Sequence, residues 1–155
     1  MLFLLFQLGN DRYALDTRQV AEVLPLVNVK QLPHAPKAVV GVFTYRGESV
    51  PLIDLSELAL DRPARKRMST RIVLVNYSGA NGGTHLLGLL AEKATETLNR
   101  EPADFKASGV STDSAPYLGL VTTDEHGLVQ WIEVEKLLSV PIMETLFKQT
   151  QVVAQ

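Results

Sequence analysis

Any catalytic or metal chemistry in this chain has to come from few residues. There is no cysteine, and there are three histidines, His34, His85 and His126. The lack of cysteine excludes a disulfide framework, thiolate zinc sites, iron–sulfur clusters and a cysteine nucleophile together. No two histidines stand at the i, i+4 spacing of a helical metal pair, and no G-x-S-x-G, G-x-x-x-x-G-K-[ST] or H-E-x-x-H motif occurs. His34 follows Pro33, His126 sits in a polar turn, and His85 borders a strand as a surface residue would, so no motif places any of them in a nucleophilic triad. Gly79-Ala80-Asn81-Gly82-Gly83 is glycine-rich, but no helix start with a nearby lysine follows it. It reads as a hairpin loop rather than a phosphate cradle. Asp54-Leu55-Ser56-Glu57 has capping-box spacing, with Asp54 placed to accept an orphan backbone N–H and Glu57 placed to reach back. That accounts for both carboxylates without acid/base catalysis. Arg62, Arg65, Lys66, Arg67 and Arg71 form a basic run with no acid between them. Without interleaved aromatics it is a poor single-stranded nucleic-acid site. It reads as a solvated connector or as a contact for an acidic patch on a partner protein. No cofactor and no metal are expected.

The elements that must position these residues are mostly strands. At 155 residues and 17.0 kDa the chain is one domain, or two very small subdomains. Fifteen basic against seventeen acidic residues leave a net charge of −2, which gives no electrostatic case for nucleic-acid binding. The apolar run Leu2-Phe3-Leu4-Leu5-Phe6 has no basic residue before it and is followed by Gln7. It is shorter than the roughly 7–15 apolar residues of a signal peptide and far below a membrane span, so it reads as a buried first strand. Strands are expected over Leu2–Leu8, Tyr13–Asp16, Val39–Tyr45, Ser49–Asp54, Arg71–Tyr77, Tyr117–Thr123 and Leu128–Glu133, joined by turns at residues 9–12, 46–47, 78–83 and 124–127. Val20–Leu32 reads as an extended stretch broken by Pro25. Residues 101–116 read as a long surface loop, and Ser139 caps a final helix with Pro141 at its first position and Ile142, Met143, Leu146 and Phe147 as its apolar stripe.

One segment sets two principles against each other. Leu86–Leu98 is rich in Leu, Ala, Glu and Lys, so propensity alone makes it helix. An internal comparison opposes that. Val50-Pro51-Leu52-Ile53-Asp54-Leu55-Ser56-Glu57-Leu58 recurs 79 positions later as Val129-Gln130-Trp131-Ile132-Glu133-Val134-Glu135-Lys136-Leu137. Gly41-Val42-Phe43-Thr44 precedes the first copy as Gly119-Leu120-Val121-Thr122 precedes the second, and residues 13–24 resemble residues 87–98. Two diverged copies of one pattern should share their structure, so 86–98 is expected to be mainly strand, with no helix longer than about two turns. Halves this small cannot hold large separate cores. They should pack on each other as small closed barrels, which leave no free edges.

An ordered set of motifs resembles the CheW family of chemotaxis coupling proteins. It comprises Phe3-Leu4-Leu5-Phe6-Gln7-Leu8-Gly9 with Tyr13-Ala14-Leu15-Asp16, Val20-Ala21-Glu22-Val23, Leu32-Pro33-His34-Ala35-Pro36, Gly41-Val42-Phe43-Thr44-Tyr45-Arg46-Gly47, Val50-Pro51-Leu52-Ile53-Asp54-Leu55, Thr70-Arg71-Ile72-Val73-Leu74-Val75 and Glu133-Val134-Glu135-Lys136-Leu137-Leu138. The resemblance implies an all-β fold with short helices: two small five-stranded SH3-like barrels packed together, plus a C-terminal helix. The subdomains would span approximately residues 1–60 and 68–138, with the helix over 139–150. It further implies a non-enzymatic, cytoplasmic adaptor that joins a chemoreceptor's cytoplasmic tip to the regulatory domain of a CheA-type histidine kinase, without inserting into the membrane. Protein-binding residues carried over from the motifs are Val20, Glu22, Val23, Arg46 and Gly47. Val20 and Val23 would form an apolar surface near the junction of the barrels with Glu22 at its rim, and Arg46 would project to solvent from a turn shaped by Gly47. The chain departs from the family where Thr44-Tyr45-Arg46-Gly47 replaces Asn-Leu-Arg-Gly and where Leu90-Ala91-Glu92 replaces a Val-Asp pair. Those departures leave open an adaptor of a non-flagellar array, such as a surface-sensing pathway controlling cyclic-di-GMP. The different-class alternative is a small hydrolase without a recognisable motif.

Overall fold

The computed structural model describes residues 1–78, 83–109 and 113–153, with side chains described through residue 147. The strands are β1 (Leu2–Leu8), β2 (Asp11–Asp16), β3 (Val20–Leu24), β4 (Val39–Tyr45), β5 (Glu48–Asp54), β6 (Arg71–Ser78), β7 (Thr84–Asn99), β8 (Leu118–Asp124) and β9 (Gly127–Ile132). The helices are α1 (Leu55–Leu60) and α2 (Val140–Val153), so the chain is mostly β with short helices. The strands form two paths of five. One runs β7-β1-β2-β9-β8, the other β4-β5-β7-β6-β3, and β7 belongs to both. In each path one isolated bridge joins a residue beyond one end strand to the strand at the other end. Lys30 and Val42 exchange backbone hydrogen bonds of 2.8 and 2.9 Å, and Lys106 and Val121 exchange two of 2.8 Å.

Apolar residues on alternate sides of the strands decide which core each side chain enters. Phe3 and Leu5 of β1 point into the interior of the first path with Ala14, Phe105 and Val129. Leu4, Phe6 and Leu8 point the other way, into a core shared by both paths. β1 is therefore buried on both faces, which is why it reads as a continuous apolar run. β6 repeats this: Ile72 and Leu74 fill the second path, while Val73, Val75 and Tyr77 enter the shared core. Each such buried side chain contributes about 1.5–3 kcal/mol, so the shared core fixes the two paths to each other.

The same alternation overrides helix propensity in residues 86–98, which lie within the single strand β7. Leu87, Leu89 and Ala91 face the shared core and Leu90 the second interior. Ala91 pairs with Arg71 of β6, Glu92 pairs with Gln7 of β1, and Lys93 takes φ 52° where the strand changes path. A helix would have scattered these side chains around its circumference.

The register reproduces the duplication residue by residue. Phe6 faces Tyr13 as Val75 faces Leu87, and Phe3 faces Leu98 as Ile72 faces Leu24. Val39 faces Ile53 as Leu118 faces Ile132, and Ala14 runs beside Trp131 as Gly88 runs beside Leu52. These pairings set Gly41 against Leu120 rather than Gly119. The paths do not follow the expected division at residues 1–60 and 68–138. The 3-10 turn Thr17–Gln19 carries the chain out of β2 into β3, which pairs with β6, while β7 crosses in the opposite sense to pair with β1. Each half thereby covers a strand edge of the other.

Local expectations hold with small displacements. β3 ends at Leu24, because Pro25 has no N–H to donate, and the chain is irregular until Lys30. The 101–116 loop contains a 3-10 turn, Pro102–Asp104, and the bridging Lys106. Residues 79–82 of the expected hairpin loop lie outside the described residues. Ser139 caps α2, with Val140 first and Pro141 second. Asp54 caps α1 by accepting from Ser56 N at 3.0 Å and Glu57 N at 3.2 Å. Glu57 does not reach back, because the Asp54 N–H already donates to Ala38 O at 2.9 Å; its carboxylate pairs instead with Lys37 at 3.0 Å.

The parallel β2–β9 pairing spans only three residue pairs and is reinforced by an ion pair. Arg12 grips Asp124 with two hydrogen bonds of 2.6 Å, and both side chains are largely buried. That grip, helped by the His126 N–H, holds the Asp124 carboxyl down to about 2. A carboxyl depressed in the folded state adds stability above its unfolded value near 4, and that stability is lost as pH falls through the folded value. Arg12→Ala is expected to cost about 2 kcal/mol at pH 7 in urea unfolding. The gap from the parent should close toward pH 2, and a gap unchanged down to that pH would rule out this account.

Candidate functional site

The expected contact residues divide by exposure. β3 carries Val20, Glu22 and Val23, with a register irregularity between Val20 and Glu22. That irregularity sets the two valines on one face, since Val20 pairs with Val75 and Val23 with Val73. Val20 packs against the shared core, whereas Val23 is 39% exposed. Val20 is half-buried and Val23 lies further out on the same face. Val23 is followed by Leu26 at 39% and Val27 at 42% exposure. The readable signal for these two is Pro25, which stops the strand and leaves the next residues without the alternation that would bury them.

Arg46 and Gly47 form the two-residue turn between β4 and β5, at φ 47° and 81°. Both central residues in the left-handed region mark a type I′ hairpin turn. Gly47 fits at no steric cost, but a left-handed arginine costs about 1–2 kcal/mol. The Arg46 side chain is 78% exposed, as expected for a turn residue. Its partner is not the adjacent Glu48. The guanidinium lies 4.0 Å from Glu22 Oε2 and 5.2 Å from the centre of the Tyr45 ring.

Tyr45 is the residue that sequence reasoning missed. Its hydroxyl donates to Glu22 Oε2, and this bond is the main cause holding the Tyr45 phenol above its ordinary value. Glu22 and Tyr45 are 23 residues apart, on β3 and β4 at opposite ends of the second path. The Lys30–Val42 bridge between those ends brings them within reach. Glu22, Tyr45 and Arg46 thus form one polar cluster, with Glu22 and Tyr45 half-buried and Arg46 exposed, close in sequence to the exposed Val23, Leu26 and Val27. Such a surface supplies a planar cation, an anion and apolar anchors to another protein.

The other singled-out residues lie elsewhere. His85 stacks on Phe147 with centroids 4.3 Å apart, and His126 faces Glu125 at 3.4 Å. His34 is exposed at φ 61°. Among the described residues no group of three or more His, Asp or Glu could hold a metal ion. Arg62, Arg65, Lys66 and Arg67 are exposed on an ordered connector. Thr70 Oγ1 accepts from Arg67 N at 3.2 Å and donates to Arg65 O, and Ala64 N donates to Asp54 Oδ2 at 2.9 Å. Among the described residues no helix is long and apolar enough to cross a membrane.

Comparison with known proteins gives the family of this mostly β chain. A family model for the CheW-like domain matches residues 2–141. The chain is 29% identical over 143 residues to the chemotaxis protein CheW of Klebsiella aerogenes, covering 88% of this chain and 81% of that one. It is 27% identical over 113 residues to protein FrzA of Myxococcus xanthus, covering 73% and 68%. The crystal structure of the scaffolding protein TtCheW from Thermoanaerobacter tengcongensis superposes with a TM-score of 0.78 at 22% identity, covering 91% of this chain and 89% of that one. The family match puts the chain in a scaffold or adaptor class of protein. The chain belongs to the CheW-like domain family.

Proposed function

We propose that this protein is a non-enzymatic cytoplasmic adaptor that couples the cytoplasmic tip of a chemoreceptor to the regulatory domain of a CheA-type histidine kinase. The observation that carries the reading is the half-buried pair Glu22 and Tyr45 with the exposed Arg46, built across the closure of the second path, together with the exposed Val23, Leu26 and Val27 that follow Glu22 in the chain. Family membership and the relatives named chemotaxis protein CheW support it. In this reading Val23 is an apolar anchor, Glu22 its charged rim, Val20 the support beneath, and Arg46 on Gly47 the outward cation. Such an adaptor couples receptor to kinase only if its contacts differ between signalling states, since equal affinity for both states shifts nothing.

Charge reversal tests it. Glu22→Lys removes the acceptor for Tyr45 and sets two cations side by side. Co-sedimentation with receptor-bearing membranes is expected to weaken about fivefold, roughly 1 kcal/mol, at an unchanged melting temperature. Unaltered binding by a stably folded variant would remove this surface from receptor contact.

A further inference from the structure

The matched register makes the two halves comparable position by position, and at one place they differ. In the second path the chain after α1 folds back so that Ala64 is buried in one cluster with Leu52 and Leu90. The Ala64 N–H donates to the Asp54 carboxylate at 2.9 Å. The pairings equate Leu52 with Trp131, Asp54 with Glu133, Leu90 with Asp16 and Val39 with Leu118. The backbone agrees: Asp54 N donates to Ala38 O at 2.9 Å, and Glu133 N to Tyr117 O at 2.8 Å. Yet those four equivalents line an open groove of about 990 Å³, together with Leu120 and Glu135. The Glu133 carboxylate caps no backbone N–H; its ion-pair partner is Lys136 at 3.3 Å. After the 3-10 turn Val134–Lys136 the chain enters α2, whose apolar residues pack on the shared core. Among the described residues none holds in this groove the place that Ala64 holds in its counterpart.

We propose that this groove is the seat of a loop from a partner protein that presents a small apolar residue flanked by arginine or lysine. The precedent is the chain's own Arg62-Pro63-Ala64-Arg65-Lys66, seated at the equivalent place. The backbone N–H of the partner's small residue donates to Glu133, as Ala64 donates to Asp54. Its side chain rests on Trp131, which is held by Phe3 and Phe105 at centroid distances of 4.9 and 5.0 Å. The flanking cations face Glu133 and Glu135, two carboxylates against the one cation of Lys136, since the Asp16 carboxylate is buried and held by Arg18. The inference goes beyond receptor–kinase coupling, because it rests on the internal duplication and names a separate surface.

The test uses the intact chain and a blocked peptide carrying residues 60–68. Trp131 is the only tryptophan, so its fluorescence and indole N–H resonance report on the groove. Saturable changes are expected at Trp131 and at the amides of Leu118, Gly119 and Leu120, with a dissociation constant below about 1 mM. Glu133→Ala, which removes no cap, should weaken binding at least about fivefold, as should glutamate in place of the peptide's alanine. No saturable change up to about 5 mM peptide would overturn the proposal, as would changes confined to another surface or an affinity indifferent to Glu133→Ala. The same resonances shifting on dilution of the protein alone would assign the groove to a second copy and overturn it equally.

Discussion

Replacing Gly41 with alanine is expected to destabilise the protein by at least about 3 kcal/mol, from two broken backbone hydrogen bonds plus local strain. Gly41 has φ 153°, and a Cβ there would stand 2.1 Å from the carbonyl oxygen of Lys30 and 2.8 Å from its carbon. These are backbone atoms, so no side-chain rotation relieves the overlap. The carbonyl that must move accepts from Val42 N and belongs to the bridge between the two ends of the second path. Gly47→Ala is the matched control. Gly47 also has a positive φ, 81°, but a Cβ there meets nothing within 4 Å. It should cost only the backbone penalty, about 1–2 kcal/mol. Urea unfolding of both variants separates close approach from glycine's conformational freedom, and equal costs would show that the Lys30–Val42 bridge contributes little.

Arg46→Ala should have the opposite profile: little effect on folding and a large effect on assembly. The exposed Arg46 side chain makes one ion pair at 4.0 Å, of a kind worth about 0–1 kcal/mol. Alanine keeps the left-handed backbone at similar cost, so the folding free energy should change by less than about 1 kcal/mol. Under the proposed function, kinase activation or array assembly should fall at least about tenfold, equal to roughly 1.4 kcal/mol. Arg46→Gly sharpens the test, because glycine adopts φ 47° without the steric penalty. That variant should be more stable than the parent by up to about 1 kcal/mol and still fail to assemble. Intact assembly in both variants would make Arg46 an ordinary turn residue, and a loss of stability in Arg46→Ala would make it structural.

The sequence by itself determined the strand pattern, the caps and the duplication. Period-2 alternation, turn glycines and Pro25 act over a few residues, so they are readable without the rest of the chain. The comparison of residues 13–24 with 87–98 was strong enough to oppose helix propensity, because a repeated unit must bury the same side of each residue. The exposed turn at Arg46 and Gly47 was readable for the same local reason. Only the tertiary structure decided where the strands of each half go. The exchange of β3 and β7 between the paths depends on which edges need covering, and no local pattern records that. It also decided the site: one register irregularity brought Val20 and Val23 onto one face, and closure of a path set Tyr45 against Glu22 from 23 residues away. Contacts across a closure join residues whose local sequences are independent, so their identity follows from the packing of the whole chain and from nothing shorter.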